Sequence, residues 1–226
     1  MDKSKSEIII INEIIKLLAG KTISDIINYE TDNIYNKSAV SVIIKRFLNK
    51  YSMYDINTLE KYKIRLKFVS VNSSYNCFEA LSFSHSSLYR IIFEDWDSND
   101  LLEQPNLKKQ LGFSYLFIPI IKIKKKGKFN NYLEWKIGDF SYWKPNSKEL
   151  ELIGYEWCFA KSLITKGVKV ERVRFGNIFR NNNNLPKQSE TKFIHLRPHA
   201  KNSDDYDLEY LKYTDGNIEI TKQSFW

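Results

Sequence analysis

The chain has little of several residues that mark particular structural classes. Its 226 residues include only 8 glycines and 5 prolines, too few for a collagen-like or linker-rich architecture. The two cysteines, Cys77 and Cys158, are far apart and neither belongs to a CxxC motif, so no disulfide scaffold is indicated. Together with only 3 histidines they form no zinc motif. We expect both thiols to be small buried hydrophobic groups in a reducing compartment.

Long apolar runs and export signals are also missing. The most apolar stretch, residues 7–18, is interrupted by Asn12, Glu13 and Lys16. A membrane-spanning helix needs about 20 predominantly apolar residues. The N-terminus has no basic region followed by an apolar run and a small-residue cleavage site. The sequence therefore predicts a cytoplasmic protein that does not contact a membrane.

Aromatic and aliphatic residues are plentiful by contrast. Hydrophobic residues make up 42% of the chain, and 14 Tyr, 14 Phe and 5 Trp exceed what an unfolded chain carries. A chain of this length and composition buries one large core or at most two small ones. We expect a single domain over residues 1–226, helical up to about residue 50 and built around a sheet over residues 60–226.

The positive charge is concentrated in one stretch. The formal net charge is +8, and residues 122–187 alone hold 15 Lys and Arg against 6 Asp and Glu, a local excess of +9. A localised basic field of this size favours a polyanionic partner, most simply nucleic acid. The alternative is a lysine-rich and asparagine-rich composition without functional meaning.

Hydrophobic periodicity and turn residues indicate a mixed α+β chain. Apolar residues at helical spacing predict helices over residues 6–19, 22–27, 38–48, 99–111 and 147–165. Apolar alternation and short apolar runs predict strands over residues 64–70, 115–124, 132–143, 168–175, 192–196 and 218–221. The last two strands are joined by an acidic loop, and residues 181–184 form a polar loop. No internal repeat is visible.

The C-terminal residues carry a family resemblance. The run from Lys192 to Ala200 contains the motif LRPHA, and it is followed by Asp215-Gly216 and by the closing residues TKQSFW. In combination these resemble the C-terminal end of the MutH-like endonucleases, which include the mismatch-repair nickase MutH and the Sau-three-A-I type of GATC-specific restriction enzyme. The match covers most of the chain in order, but it is dense only over residues 192–226.

The resemblance implies a restriction-endonuclease-like α/β fold, with a central mixed β-sheet flanked by helices. Enzymes of this kind contain two similar halves. One half cuts DNA with Mg²⁺, and the other has the same fold without a working active site and serves as a DNA-binding effector. The catalytic pattern is a Glu on a helix, an Asp on a strand, and Glu-x-Lys on the next strand. Carboxylate oxygens are the ligands that Mg²⁺ prefers.

The residues at those positions indicate the silent half. The resemblance places Lys45 at the helix glutamate, Thr58 at the aspartate, and Arg65-Leu66-Lys67 at Glu-x-Lys. Neutral and basic residues then replace the carboxylates, so we expect no metal, no cofactor and no catalytic residue in this chain. A second Glu-x-Lys, Glu134-Trp135-Lys136, has Asp139 nearby but no upstream aspartate, and alternating charges on an exposed strand explain it.

The basic residues are then the predicted functional feature. By resemblance, Arg197 contacts a guanine edge or the adjacent phosphate, and Pro198 shapes the loop with His199 beside it. Lys222 and Gln223 form a second group of DNA contacts. The basic residues Arg172, Arg174, Arg180 and Lys187 form a candidate phosphate track, which positions DNA without reading its sequence.

Three functions follow in order of preference. The first is sequence-specific binding of duplex DNA, at GATC, as the effector domain of a type II restriction endonuclease whose catalytic half acts in cis or in trans. The second is an active Mg²⁺-dependent endonuclease or nickase domain of the same family. The third is a generic basic module that binds RNA or another polyanion.

Overall fold

A computed structural model describes residues 3–28, 39–79, 81–83, 88–125, 128–129, 131–168, 170–176, 178–196, 208–214 and 217–223. Its contacts divide the chain into two compact units. Unit 1 comprises Met1–Ser82 and Gly112–Lys144, and unit 2 comprises Phe83–Leu111 and Pro145–Trp226. The expectation of one domain over residues 1–226 stays a prediction.

Unit 1 is a small mixed sheet with helices packed on one face. Its helices are α1 (Lys3–Leu18), α2 (Ala39–Tyr51) and α3 (Ile56–Lys61). Its strands are β1 (Ile64–Val71), β2 (Ser114–Ile121), β3 (Lys124–Lys125), β4 (Lys128–Phe129), β5 (Lys136–Ile137) and β6 (Ser141–Trp143). Single 3-10 turns cover Ile23–Asp25 and Tyr132–Glu134. The mixed α/β sheet expected from the sequence is confirmed in this coarse form.

The sheet of unit 1 is centred on β2. Strand β1 runs parallel to β2, in register from Ile64 opposite Ser114 to Val71 opposite Ile121. Strands β5 and β6 pair antiparallel with β2 near its two ends. Side chains of one face of β1 and β2 pack with apolar residues of α1, α2 and α3 in a continuous core. Burial of each such side chain contributes about 1.5–3 kcal/mol.

Unit 2 combines one long helix with two antiparallel hairpins. Its helices are α4 (Leu88–Phe93), α5 (Asn106–Leu111) and α6 (Ser147–Thr165). Its strands are β7 (Val170–Phe175), β8 (Ile178–Asn183), β9 (Leu208–Thr214) and β10 (Asn217–Gln223), paired β7 with β8 and β9 with β10. Helix α6 begins with a capping box, in which Asn146 and Glu149 each accept the other's backbone N–H at 2.9 Å.

Several predicted elements are confirmed and others are wrong. The helices α1, α2 and α6 and the strands β1 and β2 lie where the periodicity places them. The helix expected over residues 99–111 starts only at Asn106. Pro105 explains this late start, because a proline disfavours the helical conformation of the residue before it. Residues 132–143 form a 3-10 turn and two short strands instead of one strand.

The C-terminal half contains the larger corrections. The polar run from Asn181 to Asn183 is a strand, because its backbone pairs with residues 170–172 of β7. Residues 208–214, expected in an acidic loop, form β9 opposite β10. Residues 192–196 form no strand, and their backbone donors have another partner, described below. Cys77 and Cys158 are exposed and free, so the expectation of buried thiols is wrong.

No helix in the described part of the chain is long and apolar enough to cross a bilayer.

A close contact in unit 2 explains why residue 154 of α6 is glycine. Gly154 is buried, and a Cβ atom built on it would lie 2.4 Å from Nε1 of Trp96. The Trp96 ring also lies beside Trp157 of the same helix, with ring centroids 5.7 Å apart. The helix and the Trp96 indole therefore meet at a place where only hydrogen fits.

We predict that Gly154→Ala destabilises the protein although alanine is the better helix former. Overpacking costs about 1–3 kcal/mol, which exceeds the gain of up to about 1 kcal/mol in helix propensity. Urea unfolding followed by circular dichroism measures the difference. Lys148→Ala, at an exposed position of the same helix, is the control and changes stability by less than about 0.5 kcal/mol. A Gly154→Ala protein as stable as wild type contradicts the packing argument.

Candidate nucleic-acid interface

Arg65 lies at the position where the resemblance implies a metal-binding glutamate. It is the second residue of β1, and its side chain is 31% exposed. Its guanidinium carbon lies 3.6 Å from the centroid of the Phe113 ring, and its Nη2 lies 3.6 Å from Oε1 of Glu60. Its partner in register on β2 is Tyr115. These contacts hold a cation in place at this end of the sheet.

Lys67 lies on the same face of β1 as Arg65, because strand residues two apart point to the same side. Its ammonium donates to the carbonyl oxygen of Ser82 at 2.8 Å. Burial lowers the pKa of Lys67, and the charge of Arg65 lowers it further. Burial raises the pKa of Tyr115, which Arg65 partly opposes. The face thus combines two cations with a buried phenol.

The other two positions are placed differently from the family pattern. Lys45 lies on the exposed side of α2. Thr58 lies in α3, not on a strand, because the side chain of Asp55 caps this helix by accepting the Thr58 N–H at 2.7 Å. The structure therefore places Arg65 and Lys67 together, with Lys45 and Thr58 on separate helices.

These residues do not fit Mg²⁺. The ion takes oxygen ligands, and two cations on one strand face oppose it by Coulomb repulsion. Glu60, which has an exposed carboxylate, pairs with Arg65. Within the described ranges, no group of three or more His, Cys, Asp or Glu side chains is arranged to hold a metal.

The second Glu-x-Lys sequence is an exposed surface feature. Glu134 lies in a 3-10 turn and Lys136 in β5, and both are exposed. Asp139 exchanges two hydrogen bonds of 3.0 Å with Tyr75, one from its backbone N–H to the phenol oxygen and one from the phenol to its carboxylate. Asp139 is thus held by the loop that follows β1.

Three of the predicted phosphate contacts lie on one two-stranded ribbon. Arg172 and Arg174 are on β7. Arg180 is on β8, where it pairs with Val173, the residue between the two β7 arginines. The exposed side chain of Arg174 donates from Nε to the carbonyl of Gly176 at 3.1 Å. The three positions are therefore close along the ribbon, but position 180 shares a face with Val173, whereas positions 172 and 174 belong to the other face.

The remaining predicted contacts are distributed as follows. Lys187 is exposed in a turn after β8, where its backbone N–H donates to Oε2 of Glu190 at 2.8 Å. Lys222 and Gln223 end β10, paired with Glu209 and Leu208 of β9. The residues Arg197, Pro198 and His199 lie outside the described part of the chain.

A carboxylate of α6 binds the segment that leads to Arg197. Glu156 accepts three consecutive backbone N–H groups, from Lys192 at 2.6 Å, from Phe193 at 3.0 Å and from Ile194 at 2.8 Å. Burial alone would raise the pKa of Glu156, but these hydrogen bonds and the charge of Lys192 outweigh burial and lower it. We call this arrangement the Glu156 clamp.

The Glu156 clamp was not predicted from the sequence. Its donors lie 36 to 38 residues from the acceptor, and Glu156 is one of several acidic residues along α6. The available signal was indirect, because a glutamate on the half-buried side of an amphipathic helix needs a partner.

Compared with known proteins, the chain matches no protein-family model and no curated protein.

We predict that Glu156→Gln loosens residues 192–194. The amide has one acceptor oxygen and no charge, so the change costs about 1 kcal/mol, which corresponds to about fivefold faster amide exchange at these three residues. Hydrogen exchange resolved by residue measures this, and Glu151→Gln on the exposed side of the same helix is the control. Unchanged exchange in Glu156→Gln contradicts the clamp.

The clamp also predicts a pH dependence. The folded-state pKa of Glu156 is lowered below the value of about 4.3 for a free glutamate, so the stabilisation is complete above that pH. It is lost as the pH falls through the lower folded-state pKa. The exchange protection of wild type at residues 192–194 should therefore converge on that of Glu156→Gln at acid pH and differ from it at neutral pH.

Proposed function

We propose that this chain is the catalytically silent, DNA-binding effector half of a MutH-like type II restriction endonuclease, and that it binds duplex DNA at GATC in the cytoplasm. The observation that carries the proposal is the Arg65–Lys67 pair on one face of β1. Both positions follow from the resemblance, and the contacts of Arg65 with Phe113 and Glu60 explain how the chain stabilises a cation there.

The cation at Arg65 accounts for the loss of chemistry in this proposal. An arginine that contacts both a ring and a carboxylate lies in a favourable environment, in which the ring contact is worth about 0.5–2 kcal/mol. A divalent cation at this position would have no carboxylate ligand from β1, and the positive charges of Arg65 and Lys67 would repel it. Mg²⁺ would then be bound by a catalytic half in cis or in trans, with no cofactor in this chain.

The proposed DNA contact has two components. The arginines of the β7–β8 ribbon and Lys187 neutralise phosphates, which supplies affinity for any sequence. Arg197, with Pro198 and His199, supplies discrimination, since the guanidinium fork matches O6 and N7 of guanine. The Glu156 clamp supports a separate role for Arg197, because it attaches Ile194, three residues before Arg197, to helix α6.

We predict that Arg197→Ala removes most of the preference for GATC over a shuffled duplex. A bidentate guanine contact is worth about 1–3 kcal/mol, which is about 5-fold to 150-fold in relative affinity. Arg197→Lys should recover only part of it, because an ammonium does not form the fork. A competition titration with both duplexes at fixed salt measures the preference.

Arg174→Ala is the matched control for this experiment. It should weaken binding to both duplexes alike and reduce the slope of log affinity against log salt by about one. A wild-type protein that binds GATC and shuffled duplexes equally would favour the generic basic module instead. An Arg197→Ala protein that binds both equally less tightly would make Arg197 a phosphate contact.

We also predict that the purified chain does not nick GATC-bearing plasmid with Mg²⁺ or Mn²⁺, because the residues at the metal position are basic or neutral. Conversion of supercoiled to open-circular plasmid is the measurement, with EDTA as the control. Cleavage that depends on the metal and persists through repurification would support the active nuclease in place of the silent half.

A further inference from the structure

The solvent-facing side of helix α2 in unit 1 carries a concentrated positive charge. The opposite side of this helix is apolar and packs in the core. The helix contains no acidic residue. Between residues 45 and 50, the exposed side chains are three cations and one amide, namely Lys45, Arg46, Asn49 and Lys50. We call these four residues the α2 basic face.

The two lysines of the α2 basic face are not neutralised by the described part of the protein. Among the described residues, neither the Lys45 nor the Lys50 ammonium has a carboxylate within ion-pair distance. The Lys50 ammonium lies 5.1 Å from the centroid of the Tyr51 ring, which attracts it and leaves its charge intact. Both lysines are exposed, so each presents a positive charge to a partner.

The chain that contains this face is also basic. Residues 39–71 hold 7 Lys and Arg against 2 Asp and Glu, an excess of +5, and all of these charged side chains are described. Both carboxylates are engaged elsewhere, since Asp55 caps α3 and Glu60 is in an ion pair. One carboxylate of α1 reaches the end of α2, where Glu13 accepts the backbone N–H of Met53 at 2.6 Å. Counting it leaves 7 cations against 3 carboxylates, so the positive charge is not cancelled.

The density of charge on this face matches nucleic acid better than other anionic partners. Three cations lie within five residues, or about 7.5 Å along the helix axis. A DNA duplex carries one negative charge per about 1.7 Å of its axis. With a rise of about 1.5 Å per residue, an acidic peptide helix would need a carboxylate at almost every position to equal that density. A membrane surface binds amphipathic helices through their apolar side, which in α2 is buried in the core.

We propose that the α2 basic face contacts the phosphate backbone of duplex DNA, with the three cations at phosphates and the Asn49 amide donating to a phosphate oxygen. The choice of duplex DNA as the polyanion rests on the proposed function. The face adds a surface of unit 1 to the contacts proposed for the β7–β8 ribbon and Arg197 in unit 2. Because phosphate contacts position a protein without reading bases, the face supplies affinity and no sequence preference.

The test is the salt dependence of binding to labelled GATC and shuffled duplexes, measured by fluorescence anisotropy. Lys45→Gln/Lys50→Gln removes two charges and retains good helix formers at exposed positions. Each phosphate contact contributes about −0.9 to the slope of log affinity against log salt, so this slope should become less steep by about two. The preference for GATC should stay unchanged. Lys144→Gln/Lys148→Gln, which removes two exposed charges outside α2, is the control and should keep the wild-type slope. Circular dichroism and thermal unfolding verify that both variants are folded.

The outcomes for the α2 basic face and for GATC recognition are distinguishable. A reduced slope in the α2 variant alone, on both duplexes, supports the proposal. An unchanged slope in that variant overturns it and leaves GATC recognition standing. A wild type that binds both duplexes equally contradicts GATC recognition alone, because the slope still decides on the α2 basic face. The proposal is also overturned if the control variant has the same effect or if wild type binds no duplex. Competition by polyglutamate as strong as by duplex of equal charge overturns it in favour of an acidic protein partner.

Discussion

The parallel pairing of β1 with β2 determines which side chains meet in unit 1. Because the two strands are in register over eight residue pairs, alternate positions of both strands point to the same side. One side, with Leu66, Leu116 and Ile118, packs with α1 and α2 in the core. The other side carries Arg65, Lys67 and Tyr115, whose ring lies near those of Phe117 and Trp143. A shift of one residue would bring the cations into the core, so the apolar face selects the register.

The same pairing explains how unit 1 tolerates two cations on one strand. Tyr115 is fully buried opposite Arg65, and its ring is close to those of Phe117 and Trp143. Partly buried charges are stabilised only when hydrogen bonds and opposite charges compensate for lost water. Arg65 has an acidic and an aromatic partner, and Lys67 has a backbone carbonyl. Arg65 and Lys67 are therefore both held by contacts within unit 1.

Local signals in the sequence were sufficient for the regular elements and insufficient for the site. Helix α6 was predicted closely because a long apolar pattern over residues 147–165 lies between Pro145 and Gly167. Strand β8 was missed because asparagine rarely favours strands, and only its pairing with β7 stabilises it. The identities at Arg65 and Lys67 were readable, but their partners Phe113 and Ser82 are distant in sequence. The Glu156 clamp joins residues 36 to 38 positions apart, which no periodicity reports.

The Glu156 clamp has a consequence for how this chain tolerates insertions. Between Glu156 and Lys192 lie the end of α6 and the whole β7–β8 ribbon, yet the two residues are joined directly. The cost of closing a loop grows only with the logarithm of its length, about 0.6 kcal/mol for each doubling. The turn at Gly176 can therefore lengthen or shorten between related proteins while the chain after Lys192 keeps its attachment to the helix. Ribbon length and the position of the segment after it are free to evolve independently.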